Sequence, residues 1–213
     1  MKKIFTVLLV IFIGFAVWNA IQTKPDAATP EAVVTDVVSV DTVAPVETPK
    51  EVAVQTTTKT VDNAKVAVTF KGFGPGKVHV GSFSKITSNL SLDDKSGLAG
   101  KITIDMNSMT SDSEKLTGHL KTADFFDVAK HPTAAFTVTA LTGTDAQGGT
   151  VSGVMTIKGI SKSITVPFTT VKSADASTVT GYRTNFALNL KDFGINQAFA
   201  NETIELDVVV PLQ

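Results

Sequence analysis

From Val61 onward, apolar and polar positions alternate with a period of two. Val66, Val68 and Phe70 alternate with Ala67 and Thr69, and Ile102, Ile104 and Met106 alternate with Thr103 and Asp105. The same phase runs through Ile86, Ser88, Leu90 and Leu92, and through Val151, Gly153, Met155 and Ile157. It returns in Ile164, Val166 and Phe168, in Tyr182, Thr184, Phe186, Leu188 and Leu190, and finally in Ile204, Leu206, Val208 and Val210. Successive side chains of a strand point to opposite faces, so these runs predict half-buried strands. Turn-forming residues separate them at Gly72, Gly74, Pro75 and Gly76, at 93–97 and at 143–149. Short connections of this kind predict hairpins and antiparallel pairing.

The period changes once, between residues 111 and 132. Leu116 and Leu120 lie four apart, and Ser111 and Glu114 have the S-x-x-E spacing of a capping box, so a short helix is predicted to begin near Asp112. Proline pushes its predecessor to extended geometry, so His131-Pro132 hands the chain back to a strand with Phe136 and Val138 facing inward. About eight antiparallel strands with one inserted helix suit a closed barrel, because closure removes the exposed edges. A two-sheet sandwich shares the same pattern.

Residues 1–21 differ in kind. Lys2 and Lys3 precede an apolar run over 4–21, the mark of an export signal. Eighteen helical residues span roughly 27 Å, enough to remain as an anchor. Trp18, two before Ala20 and so third back from a cut after that alanine, is awkward for a signal peptidase and well suited to a membrane interface, which favours the anchor over cleavage. The flanking charges put the amino terminus in the cytoplasm and the rest in the periplasm or outside the cell. Residues 22–60, rich in Thr, Val, Ala, Pro and Glu and without aromatics, read as a flexible linker with a reach of about 35 Å. Their valines leave room for a short strand near 37–43. The barrel domain then occupies 61–213.

Composition narrows the chemistry. The chain has no cysteine, which excludes disulfides, thiolate metal sites and bacterial lipidation. Residues 61–213 carry fourteen Lys and Arg against fourteen Asp and Glu, a neutral domain with no basic surface for nucleic acid. The three histidines, His79, His119 and His131, fall in no metal-ligand spacing, and no nucleophile elbow is present, so neither a metal, a cofactor nor an enzymatic function is expected. Asp124 and Asp127, flanking Phe125-Phe126, read as helix termination and a hydrogen-bonded turn. Glu202, Glu205 and Asp207 read as the solvent face of the last strand.

Three motifs add a resemblance. Ala123-Asp124-Phe125-Phe126-Asp127, Lys158-Gly159-Ile160-Ser161-Lys162 and Lys191-Asp192-Phe193-Gly194-Ile195-Asn196 stand in the order and spacing of the YceI-like family of secreted, lipocalin-shaped barrels that bind polyisoprenoid lipids. The chain departs from that pattern at Asn63-Ala64-Lys65, where relatives carry a His-Ser pair, so no role of that pair is carried over.

The resemblance implies an all-β, lipocalin-like antiparallel barrel that sequesters or carries an isoprenoid or other long apolar molecule. The expected lining is Val68, Phe70, Ile104, Phe136, Val138, Met155, Ile157, Phe168, Phe186 and Leu188, with Phe125, Phe126 and Phe193 at the helix and mouth. Gly153 and the neighbourhood of Ala187 supply small inward positions, and Lys77, Lys158, Lys162, Arg183 and Lys191 are candidates for a phosphorylated headgroup. The membrane is a partner through residues 4–21, and pairing of two copies along a strand edge stays open. The rival reading is a barrel filled by its own side chains that serves as an interaction domain of the cell envelope.

Overall fold

The computed structural model describes residues 25, 28–37, 59–93, 97–144, 147–196 and 202–213. The apolar amino-terminal segment and most of the expected linker lie outside these residues. In chain order the strands are β1 (Val33–Asp36), β2 (Ala67–Gly74), β3 (Lys77–Phe83), β4 (Ile86–Ser88), β5 (Ser91–Asp93), β6 (Gly97–Asp105) and β7 (Met109–Ser111). An α-helix, α1 (Glu114–Lys121), follows, and then β8 (Thr133–Thr144), β9 (Gly148–Ile157), β10 (Ile160–Lys172), β11 (Val179–Asn189) and β12 (Thr203–Pro211).

Among the described residues the named strands pair antiparallel, with one isolated parallel bridge at Glu31↔Ala187, and the pairing path runs β4-β6-β8-β9-β10-β11-β12-β2-β3-β7. Its two ends meet. Two residues separate β3 from β4, and the 3-10 turn Met106–Ser108 joins β6 to β7, so each couple is one bent stave. Ser84 donates to the Ser108 carbonyl and Asp105 to that of Lys85, which carries the ladder across the bend. Eight staves close into a barrel, as the resemblance implies. Inward positions such as Val68, Phe70, Ile102, Ile164, Val166 and Phe186 are buried.

The helix begins two residues later than the S-x-x-E spacing suggests. Ser113, extended in backbone, is the N-cap and accepts from the Leu116 amide, whereas the Ser111 hydroxyl bonds to the Ser113 carbonyl and to Thr117. The strand β3 inverts its apparent pattern. Val78 and Val80 are exposed, and His79, Gly81 and Phe83 take the inner face. The register demands it: a Cβ on Gly81 would lie 2.2 Å from Cζ of Phe70, so only glycine admits that ring.

Part of the expected linker is a strand. β1 pairs with β10 from Val33↔Thr165 to Asp36↔Lys162, while Ala32 donates to the Ala187 carbonyl and the Ala187 amide to that of Pro30. β11 pairs with β10 only along Thr169–Lys172, so residues 30–36 fill the space where the two staves part. This strap also explains Glu205, which is 3% exposed and not on a solvent face. Its carboxylate accepts from Thr29 Oγ1 and pairs with Lys71 Nζ, each at 3.1 Å.

Candidate functional site

An inner and an outer apolar chamber lie within the barrel. The inner one, of about 120 Å³, is bounded by Val68, Ile102, Ile104, Val138, Met155 and Phe186 among others, and its lining presents no polar surface. The outer one, of about 220 Å³, lies under α1 between Phe70, Phe73, Met109, Leu116, Leu120 and Phe125, with His79 at its edge. Phe83, Phe126, Ile204 and Leu206 line both and form the wall between them.

Local chemistry places the two rings of that wall. Phe126 is drawn inward because its amide bonds to the Leu120 carbonyl as α1 ends, and Asp127 then reverses the chain at φ 47°. The Asp127 carbonyl accepts from Lys130 and His131, and its carboxylate pairs with Lys130, which is the turn expected of this acidic residue. Phe125 packs on Phe126 at 4.8 Å between centroids, and Phe83 on Phe70 at 5.6 Å. Across the barrel, Gly153 leaves room for Phe136, since a Cβ there would approach its Cζ to 2.4 Å.

The thirteen residues expected to form the site separate into three groups. Val68, Ile104, Phe136, Val138, Met155, Ile157, Phe186 and Phe126 line the inner chamber. Phe70 and Phe125 line the outer one. Phe168, Leu188 and Phe193 line neither: Phe168 meets Tyr182 edge-on at 5.5 Å, and Leu188 and Phe193 are wholly buried. Ala187 is not an inward position either, because alternation with Phe186 and Leu188 turns it to the outer face beneath the strap. Leu98, Ile102, Ile164, Val166 and Ile204 share the period-two phase of residues already singled out, and that phase was the signal available for them. Phe83 carried no such signal, because its strand reads with the opposite face inward.

None of the five candidate headgroup cations lines either chamber. Lys77 pairs with Asp112, Lys162 with Asp36 and Lys191 with Glu202; Arg183 grips Asp207 through two hydrogen bonds, and Lys158 donates to the Ala123 carbonyl. The Asp207 carboxylate raises the Arg183 pKa. His79 Nδ1 sits 2.9 Å from Asp112, and this hydrogen bond, ahead of the one from Lys77, holds the Asp112 carboxyl below the usual carboxylate range. His119 stacks edge-on with Phe125, and His131 lies against Gly159. Among the described residues no group of three His, Cys, Asp or Glu is arranged to hold a metal. Asn63, where the family pattern departs, accepts from Ser88 Oγ and the Leu90 amide and donates to the Leu90 carbonyl, clamping the entry of the chain to the bend after β4.

The comparisons agree with this architecture. A UPF0312 protein of Pseudomonas putida is 32% identical over 136 residues, covering 61% of this chain and 71% of the relative. One from Pseudomonas aeruginosa is 28% identical over 139 residues, 62% and 72% respectively. Among solved structures, BcnA of Burkholderia cenocepacia superposes with a TM-score of 0.62 at 20% identity, over 71% of this chain and 98% of that one. A polyisoprenoid binding domain from Saccharophagus degradans does so with 0.53 at 13% identity, over 73% and 97%. At these identities the structures speak for the fold alone. The model of the YceI-like domain matches residues 59–212, and the chain belongs to the YceI-like family.

Proposed function

We propose that this protein is an exported carrier that sequesters an isoprenoid or similar long apolar chain inside its barrel, without bond chemistry. The observation that carries this reading is the pair of apolar chambers that share Phe83, Phe126, Ile204 and Leu206 as lining. The name of the Saccharophagus degradans neighbour supports the choice of ligand class. An engineered apolar cavity of about 150 Å³ takes one benzene, so each chamber by itself suits only a fragment of a chain. A longer isoprenoid has to occupy both, turning Phe83 or Phe126 aside. Ten buried methylene-sized units contribute roughly 8 kcal/mol before the cost of ordering the chain, which is the scale of micromolar binding. The lining favours an uncharged end group. Among the described residues His79 is the one titratable side chain on either lining, and it is already held by Asp112.

Charged substitutions in the inner chamber test the reading. Phe136→Glu and Phe186→Glu, each shown by circular dichroism to keep the fold, are expected to lose co-elution with added geranylgeraniol on gel filtration. Undiminished retention in a folded variant contradicts the proposal.

A further inference from the structure

The barrel wall has one seam where its own staves do not meet. β10 stays paired with β9 from Ile160 to Phe168, but its ladder with β11 runs only along Thr169–Lys172, and the last contacts beside it are the edge-on Phe168–Tyr182 pair and the Thr184 hydroxyl on the Pro167 carbonyl. Below that point the gap is filled by residues 30–36, which precede the matched family domain. With strands 4.7–4.9 Å apart, a missing stave leaves β10 and β11 about 9.5 Å from each other. Both lips of this seam belong to the inner chamber: Ile164 and Val166 on one side, Phe186 on the other. Ala32 is buried and Val34 half-buried against the same core, so strap residues stand behind the wall at this place.

The strap is lightly held. It has four register pairs with β10, against nine between β11 and β12, and Val33 is 64% exposed. Its side-chain fastenings include the Lys162 pair with Asp36 and the Thr29 bond to Glu205. Asn185, beside the Ala187 level that the strap binds, has its Oδ1 buried with no hydrogen-bond partner, and opening the seam would return it to water.

We infer that the seam between β10 and β11 is a lateral entrance to the inner chamber for an isoprenoid chain, closed by the chain's own residues 28–37. This rests on the lipid-carrier reading. Covalent reach gives the entrance a direction. Residues 22–27 are all that separate the apolar run from the strap, at most about 25 Å of extended chain. A docked strap therefore holds the seam close to the surface into which that run inserts, and release lengthens the tether to the whole of 22–60.

A disulfide lock on the full chain tests this. The protein has no cysteine, so Val33→Cys with Thr165→Cys creates a single bridge between outward-facing register partners, whose Cα separation in an antiparallel pair suits a disulfide. The probe is geranylgeraniol taken up from phosphatidylcholine vesicles. Oxidation, verified by loss of free thiol, is expected to slow uptake at least tenfold, leave the amount bound at equilibrium unchanged, and reverse on reduction. Ala32→Asp, which loosens the strap from the opposite direction, is expected to speed uptake. Equal rates for oxidised and reduced protein, with normal final binding, overturn the entrance while sparing the carrier reading. Failure of wild type and both variants to take up the probe over any interval overturns the carrier reading, and the entrance with it.

Discussion

Replacing Phe83 with alanine separates a chambered barrel from a packed one. Phe83 is half-buried, packs against Phe70 and stands between the two chambers. Fully buried phenylalanines cost 3–5 kcal/mol when truncated to alanine. Because this ring has open space on two sides, it gives up fewer contacts, and roughly 2–3 kcal/mol is expected. For a domain of this size that lowers the melting temperature by about 4–12 °C. Ligand binding should then recover more than it does in the wild type. Removing the ring joins spaces of about 120 and 220 Å³, so a twenty-carbon prenol no longer has to displace it. A tenfold gain in affinity adds about 1.4 kcal/mol of ligand-induced stability at a given excess. Thermal melts with geraniol and geranylgeraniol read this directly. The longer prenol is expected to shift Phe83→Ala further than wild type, and the ten-carbon one to shift both alike. An unliganded melt equal to wild type, or equal gains for both prenols, refutes the partition.

Three further outcomes follow from the geometry. Asn63→Ala removes the bonds to Ser88 and to both backbone groups of Leu90 and should cost about 2–3 kcal/mol by urea unfolding, whereas Asn63→Asp keeps the two acceptor contacts and should recover most of that. Gly153→Ala sets a Cβ 2.4 Å from both Phe136 Cζ and the Thr137 carbonyl and should destabilise by about 1–3 kcal/mol, while Gly118→Ala, in the helix with nothing within 4 Å, should stabilise by roughly 0.5–1 kcal/mol. The Ser173 hydroxyl, followed by the Ser177 hydroxyl and amide, draws the Asp175 pKa from 3.8 to about 2. Its contribution to the β10–β11 turn is therefore complete above pH 3.8 and lost as pH falls through about 2; carboxyl chemical shifts should show that midpoint, and Ser173→Ala should move it upward.

The parts of this fold legible in the sequence are those where burial follows period two. Val68 and Phe70, Ile104, Phe136 and Val138, and Met155 and Ile157 all alternate with residues of the outer face, and the structure turns them inward together. The rest depended on contacts that local pattern does not encode. The exposed valines of β3 look like its core face, and only the cross-strand fit of Phe70 over Gly81 reverses them. Residues 28–37 lack the large side chains of an independent strand and gain order from a slot prepared by distant staves, so their composition reads as linker. Glu205 belongs to the same error, because an acidic residue at an outward position is exposed unless another segment covers it. At the site, alternation identified which residues face inward but not how far along the barrel the space extends. Phe168, Leu188 and Phe193 have the right phase or ring and lie where the interior is filled.

The most direct test of the carrier account is native mass spectrometry, with organic extraction, on the purified full chain. Detergent is to be exchanged away before measurement. The account predicts a one-to-one apolar adduct whose extract contains an isoprenoid chain, lost in Phe186→Glu. Bare polypeptide alone, with no adduct after incubation with geranylgeraniol, contradicts it and favours a barrel that works through its surface.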